Sequence, residues 1–158
     1  MKVIFTWKEL IILNGLTEIA RYQASCNVRN ELNGKRAKDE IIYTVPINGH
    51  PKPYYPRAFP GGMFIIIGIE YTNDATYAPV KIKTTASREV FTWDLDREGK
   101  YWKPTGKTQI DSAYWLHYTA YKTTLGCIRI GSIHDALSFA HIIEPVLEHG
   151  DVIRLEVL

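Results

Sequence analysis

Two cysteines, Cys26 and Cys127, are all that 158 residues contain. So few, so far apart, exclude a disulfide-stapled scaffold and any CxxC metal or redox motif. Long apolar runs are also missing. The longest, around Leu10–Leu13 and Met63–Ile69, fall well short of the roughly 20 residues that cross a bilayer, so no transmembrane segment is expected. Lys8 and Glu9 interrupt the apolar start, and no small-residue cleavage site follows, so no export leader is expected there. Cytoplasmic action and action at the cell envelope by another route both stay open. Charge of one sign is scarce too: 19 Lys and Arg stand against 17 Asp and Glu, a net charge of +2. Nucleic-acid binders concentrate basic residues to displace phosphate counterions. Here the densest basic stretch, Lys35, Arg36 and Lys38, runs straight into Asp39 and Glu40. Nucleic acid is therefore not an expected partner.

Apolar residues are plentiful at 46%, more than a disordered chain carries. No internal repeat, low-complexity tract or linker interrupts the sequence, and the length suits a single domain over residues 1–158. Val3, Phe5 and Trp7 alternate with Lys2, Ile4 and Thr6, the period of a strand. Strands are also expected at 41–45, 63–71, 78–84, 88–94, 113–118, 127–130 and 153–157, with Gly68 marking a bulge. Residues 25–40 read as loop or weak helix. The proline-rich stretch 46–57 and the charged stretch 95–109 read as loops. One helix is predicted after Ser132, with Asp135 completing a capping box and Ala136, Leu137, Ala140, Ile143 and Leu147 on one face. Pro145 should kink or end it. The sum is a mainly-β sandwich or barrel-like fold with one helix.

Cys127 is the leading chemical candidate. A buried cysteine can be plain core filler. Against that, Gly126 allows close backbone approach to a ligand, and Arg129 shares a strand face with the thiol and favours a thiolate. His117 lies ten residues upstream, close enough for neighbouring strands to bring imidazole and thiol together as base and nucleophile.

The run Thr124, Gly126, Cys127, Ile128, Arg129, with His117 before it, resembles the catalytic core of the YkuD-type L,D-transpeptidases. Ser132–Ala136 resembles the helix start that follows their motif, and Gly150–Leu155 resembles their closing strand. Phe59–Ile66 resembles an upstream proline-glycine strand start. The resemblance covers residues 41–158 and is strongest over 113–158. Leu125 replaces a frequent histidine, the His117-to-Cys127 interval is short, and Tyr118 stands where a small residue is usual.

The resemblance implies a cysteine acyltransferase acting on peptidoglycan stem peptides through a Cys127 thioester. His117 would serve as base, or as the imidazolium of a pre-formed pair. A carbonyl at or near Tyr118 would orient its ring, and N–H groups near Gly126 and Cys127 would hold the oxyanion. Arg129 would meet a substrate carboxylate, and Thr124 would line the substrate site. No metal or organic cofactor is implied. An L,D-carboxypeptidase or endopeptidase cutting the same type of bond is the alternative, in a phage lytic or antibacterial effector setting. A non-catalytic cell-wall-binding module is the alternative of another class.

Other residues carry weaker signals. His134, His141 and His149 lack the partners of a zinc site and read as solvent-side. Tyr54, Tyr55 and Arg57 suit either a groove or packing beneath a lid. Lys81 and Lys83 are expected to face solvent, and Cys26 to be inert or at the surface. Trp93, Trp102 and Trp115 are expected in the core.

Overall fold

Val3 and Phe5 are fully buried while Lys2 and Ile4 are only partly covered. This two-residue alternation, repeated around the molecule, closes a barrel. A computed structural model describes residues 1–27, 31–32, 35–36, 42–47, 50–54, 58–98, 102–121, 124 and 126–158. In chain order the strands are β1 (Lys2–Phe5), β2 (Glu9–Asn14), β3 (Thr17–Ser25), β4 (Glu31–Leu32), β5 (Lys35–Arg36), β6 (Ile42–Ile47) and β7 (His50–Tyr54). They continue with β8 (Gly62–Tyr71), β9 (Val80–Thr84), β10 (Arg88–Leu95), β11 (Trp102–Asp111), β12 (Trp115–His117) and β13 (Ile128–Ile130). Helix α1 (Ile133–Glu148) and β14 (Ile153–Val157) follow.

The closed barrel has the order β1-β14-β8-β9-β12-β13-β3-β2. Three two-stranded ribbons, β4-β5, β6-β7 and β10-β11, stand apart from it. Among the described residues the mainly-β expectation with one helix holds, and eight of the strands form a closed barrel. Gly68 marks a register shift between β8 and β9, as its place in an apolar strand suggests.

Four expectations are corrected. The run 46–57 contains β7, and β6 passes through Pro46. The loop expected at 95–109 is largely β11, paired with β10 through a shift between Phe91 and Trp93. Each strand of a two-stranded ribbon is an edge, where a missing N–H costs no ladder bond. The stretch 25–40 contains β4 and β5. Pro145 does not end α1, which runs on to Glu148. It sits in the last turn, where His149 N–H still bonds Pro145 O at 3.0 Å and Gly150 N–H bonds Leu147 O at 3.0 Å.

Ser132 caps α1, its hydroxyl accepting from Asp135 N–H at 3.0 Å. The buried face is Ala136, Phe139, Ala140 and Ile143, so Phe139 takes the place expected of Leu137. These side chains join the barrel's core, where the helix packs against β8, β9, β13 and β14. Phe139 meets Tyr22 edge-on at 5.8 Å, and the Tyr22 hydroxyl bonds Ser138 Oγ at 2.8 Å. Among the described residues no helix is long and apolar enough to cross a membrane.

Phe139→Ala should therefore lower unfolding free energy by about 3–5 kcal/mol, from lost burial plus the cavity left behind. Urea denaturation measures it, with exposed Val152→Ala as a control expected to change stability by under about 0.5 kcal/mol.

Candidate active site

β12 lies between β9, antiparallel, and β13, parallel. Leu116 is in register with Ile82 on one side and Ile128 on the other, and all three are fully buried in the barrel. The next residue therefore points the other way. His117 pairs with Lys81 and with Arg129, and Trp115 pairs with Lys83, giving the strip outside the core its chemistry. Trp115 is thus half-buried outside the core cluster, which corrects its expected place. The side chains of Trp93 and Trp102 lie outside what is described, as do that of Tyr54 and residues Tyr55, Arg57 and Leu125.

His117 is 3% exposed. Its Nδ1 lies 2.8 Å from the Tyr118 carbonyl oxygen, which can only accept, so the ring carries its proton on Nδ1. Nε2 is left with a lone pair, the form a base needs. Burial holds the imidazole below its ordinary pKa, with Lys81 and Arg129 adding to the effect and the Tyr118 carbonyl opposing it. Tyr77 stacks edge-on to this ring at 4.9 Å and to Trp115 at 5.6 Å. Lys81 Nζ sits 4.3 Å from the Trp115 ring centre and 3.4 Å from Glu70 Oε1. Lys81 is only 14% exposed, so the solvent-facing expectation is corrected for it. Lys83, 42% exposed, does reach outward, to Glu70 at 2.8 Å.

Cys127 immediately precedes β13 and is 7% exposed. Trp115 N–H donates to its Sγ at 3.5 Å, and the thiol faces Ala113 O at 3.6 Å. His117 is not among the hydrogen-bond partners of Sγ, so His117 on β12 and Cys127 just before the adjoining β13 lack the expected thiol-imidazole bond. Lys81 and Tyr77 are the groups common to both. Lys81 acts on each of the two titrations, and a charge on Cys127 raises the pKa of the Tyr77 hydroxyl that packs on His117.

Burial pushes the Cys127 thiol up to about 11, helped by Asp111 and opposed by Trp115 N–H and Lys81. Both shifts favour an uncharged thiol and imidazole at neutral pH over a pre-formed ion pair. The cation working toward a thiolate is Lys81, not Arg129. Arg129 instead donates from Nε to Thr119 O at 2.8 Å and lies over the Tyr118 ring at 5.5 Å. It ties down the chain just after His117.

Thr124 and Gly126 are structural parts of the turn before Cys127. Gly126 has φ of +122°, a backbone state that favours glycine. Its N–H donates to Thr124 Oγ1 at 3.3 Å, and that hydroxyl donates to Cys127 O at 2.7 Å. Gly126 N–H and the Thr124 hydroxyl, expected at the oxyanion and the substrate, are thus both engaged within the turn. Among the described residues nothing accepts from the Cys127 N–H. Cys26, expected to be inert or at the surface, is 1% exposed and touches the same turn, its Sγ 3.3 Å from Gly126 O.

His134 and His149 are exposed beside Asp135 and Asp151, and His141 is exposed as well, as expected. A cavity of 330 Å³ lies beside Gln23, Ser25, Arg129, Ser132 and Asp135, and a shallower one of 750 Å³ beside Thr6–Glu9 and Asn27. Neither is lined by Cys127 or His117. Tyr77, Lys81 and Cys26 are the participants that sequence reasoning missed; each comes from a segment with no motif of its own. No protein-family model matches the chain, and no curated protein is recognisably similar to it.

Iodoacetamide alkylation of Cys127 should accelerate about tenfold per pH unit between about pH 7 and about pH 10, tracking the thiolate fraction. A plateau near neutrality would contradict the uncharged resting pair. The fold should also weaken as pH falls below 6.5, because the unfolded chain then binds a proton that buried His117 resists. His117→Gln should flatten that acid limb in urea titrations.

Proposed function

We propose that the chain is a cysteine acyltransferase of L,D-transpeptidase type acting on peptidoglycan stem peptides. The observation that carries this is the 2.8 Å contact between His117 Nδ1 and Tyr118 O. It sets the tautomer that leaves Nε2 able to accept a proton, on the strand beside Cys127, as the resemblance requires. Hydrogen bonds of this kind to a nucleophile are commonly long without substrate and tighten in the Michaelis complex.

The chemistry starts from the neutral pair. The Cys127 S–H proton passes to His117 Nε2 as sulfur attacks the carbonyl carbon of the third stem-peptide residue. The carbonyl π pair moves onto oxygen, where the Cys127 N–H can meet it. Collapse restores the carbonyl and breaks the C–N bond, and the leaving amine of the terminal D-residue takes the proton from Nε2. An amine then attacks the thioester and loses its proton to His117. The thiolate leaves and recovers that proton. Water in place of the amine gives the hydrolytic carboxypeptidase or endopeptidase.

Burial of the thiol favours a second reading, a wall-binding module that has kept the turn and lost the chemistry. Intact-protein mass spectrometry separates the two. A carbapenem should add one drug mass at Cys127, and stem peptides should give exchanged, cross-linked or hydrolysed products. Cys127→Ala should reduce turnover to background and His117→Ala should lower it by at least about 10²-fold. No adduct and no product from the wild type would leave only the binding module.

A further inference from the structure

The turn that delivers Cys127 contains four backbone groups on Gly126 and Cys127, and three of them are engaged. Gly126 N–H goes to Thr124 Oγ1 at 3.3 Å, Cys127 O receives Thr124 Oγ1 at 2.7 Å, and Gly126 O receives the Cys26 thiol at 3.3 Å. The fourth, Cys127 N–H, has no acceptor among the described residues.

The Cys26 contact fixes where that fourth group points. A trans peptide holds its C=O and N–H on opposite sides of one plane. Gly126 O and Cys127 N–H belong to the same peptide. Drawing the carbonyl toward buried Cys26 turns the N–H away from it. This plane turns on ψ of Gly126 and φ of Cys127, and glycine's missing Cβ leaves the first of these little constrained. Cys26 is itself held in place. It is 1% exposed at the end of β3, and Phe59 N–H donates to its sulfur at 3.2 Å. The end of β3, the loop at Phe59 and the Gly126 turn therefore converge on this sulfur.

We infer that Cys26 is a positioning residue: its thiol anchors the Gly126 carbonyl so that the Cys127 N–H is presented as the oxyanion donor for acyl transfer. The inference rests on the proposed acyltransferase reading. It assigns Cys26 no contact with substrate and no nucleophilic step.

The test compares two reactions of Cys127 that differ in one respect. Acylation by a carbapenem passes through an oxyanion, whereas alkylation by iodoacetamide displaces iodide and forms none. Both rates are read by mass spectrometry on the full chain, with a thermal melt for each variant. Cys26→Ala should slow acylation by about 10- to 100-fold, a loss bounded by the effect of removing an oxyanion donor outright. Its alkylation rate should stay within about twofold of wild type. Cys26→Ser, which keeps a donor for the Gly126 carbonyl, should restore acylation to within about threefold. Cys26→Val, similar in volume without a donor, should behave as alanine does and carries the comparison if alanine fails to fold. Acylation at the wild-type rate in alanine and valine overturns the inference, as does an equal fall in both reactions. A wild type that is alkylated and never acylated overturns the acyltransferase reading, and this inference with it.

Discussion

The site depends on how Leu116 is paired. Held between Ile82 and Ile128 in the barrel interior, it commits the residues on either side of it to the outer strip. A slip of one residue in β12 would send His117 into an apolar core and Leu116 onto a surface shared with Lys81 and Arg129. The cost of burying an imidazole without a partner opposes that slip, as does the loss of leucine burial. Apolar packing inside the barrel thus sets the chemistry outside it, and the Tyr118 carbonyl completes the arrangement by fixing the ring.

Burial and reactivity oppose one another here. The same covering that places Cys127 under Trp115 and beside Ala113 favours a protonated thiol, and covering His117 favours a neutral ring. Lys81 works in both directions. It eases ionisation of the thiol and resists protonation of the imidazole. An ion pair before substrate arrives is therefore disfavoured, and the proton has to move as sulfur attacks. Tyr77 lies over His117 and Trp115 at the rim of this strip.

Much of the barrel is legible in the sequence because half-buried strands alternate. β1, β9 and β14 show it, β8 reads instead as a long apolar run, and Ser132 with Asp135 marks the start of α1. The hairpin β2-β3 turns at Asn14-Gly15, a dipeptide suited to tight hairpins, where Gly15 takes φ +61°. β7 and β11 hide behind prolines that exposed ribbons tolerate. At the site, Cys127, His117 and the Tyr118 carbonyl can be picked out by type and spacing. Tyr77, Lys81 and Cys26 cannot, because they reach the site only through barrel closure. The spent hydrogen-bonding capacity of Gly126 and Thr124 is likewise invisible until the turn is folded.

The seam of the barrel has a consequence for how the molecule is made. β1 pairs with β14 as well as with β2, and Leu158 N–H bonds back to Phe5 O at 3.1 Å. A ribosome emits β1 long before β14, so the ring stays open while the residues between them are made. Until β14 emerges, β1 and β8 each offer an unpaired edge, the kind of template on which nascent chains associate. Such topology folds slowly for its size, because the pairing that seals it spans almost the whole chain.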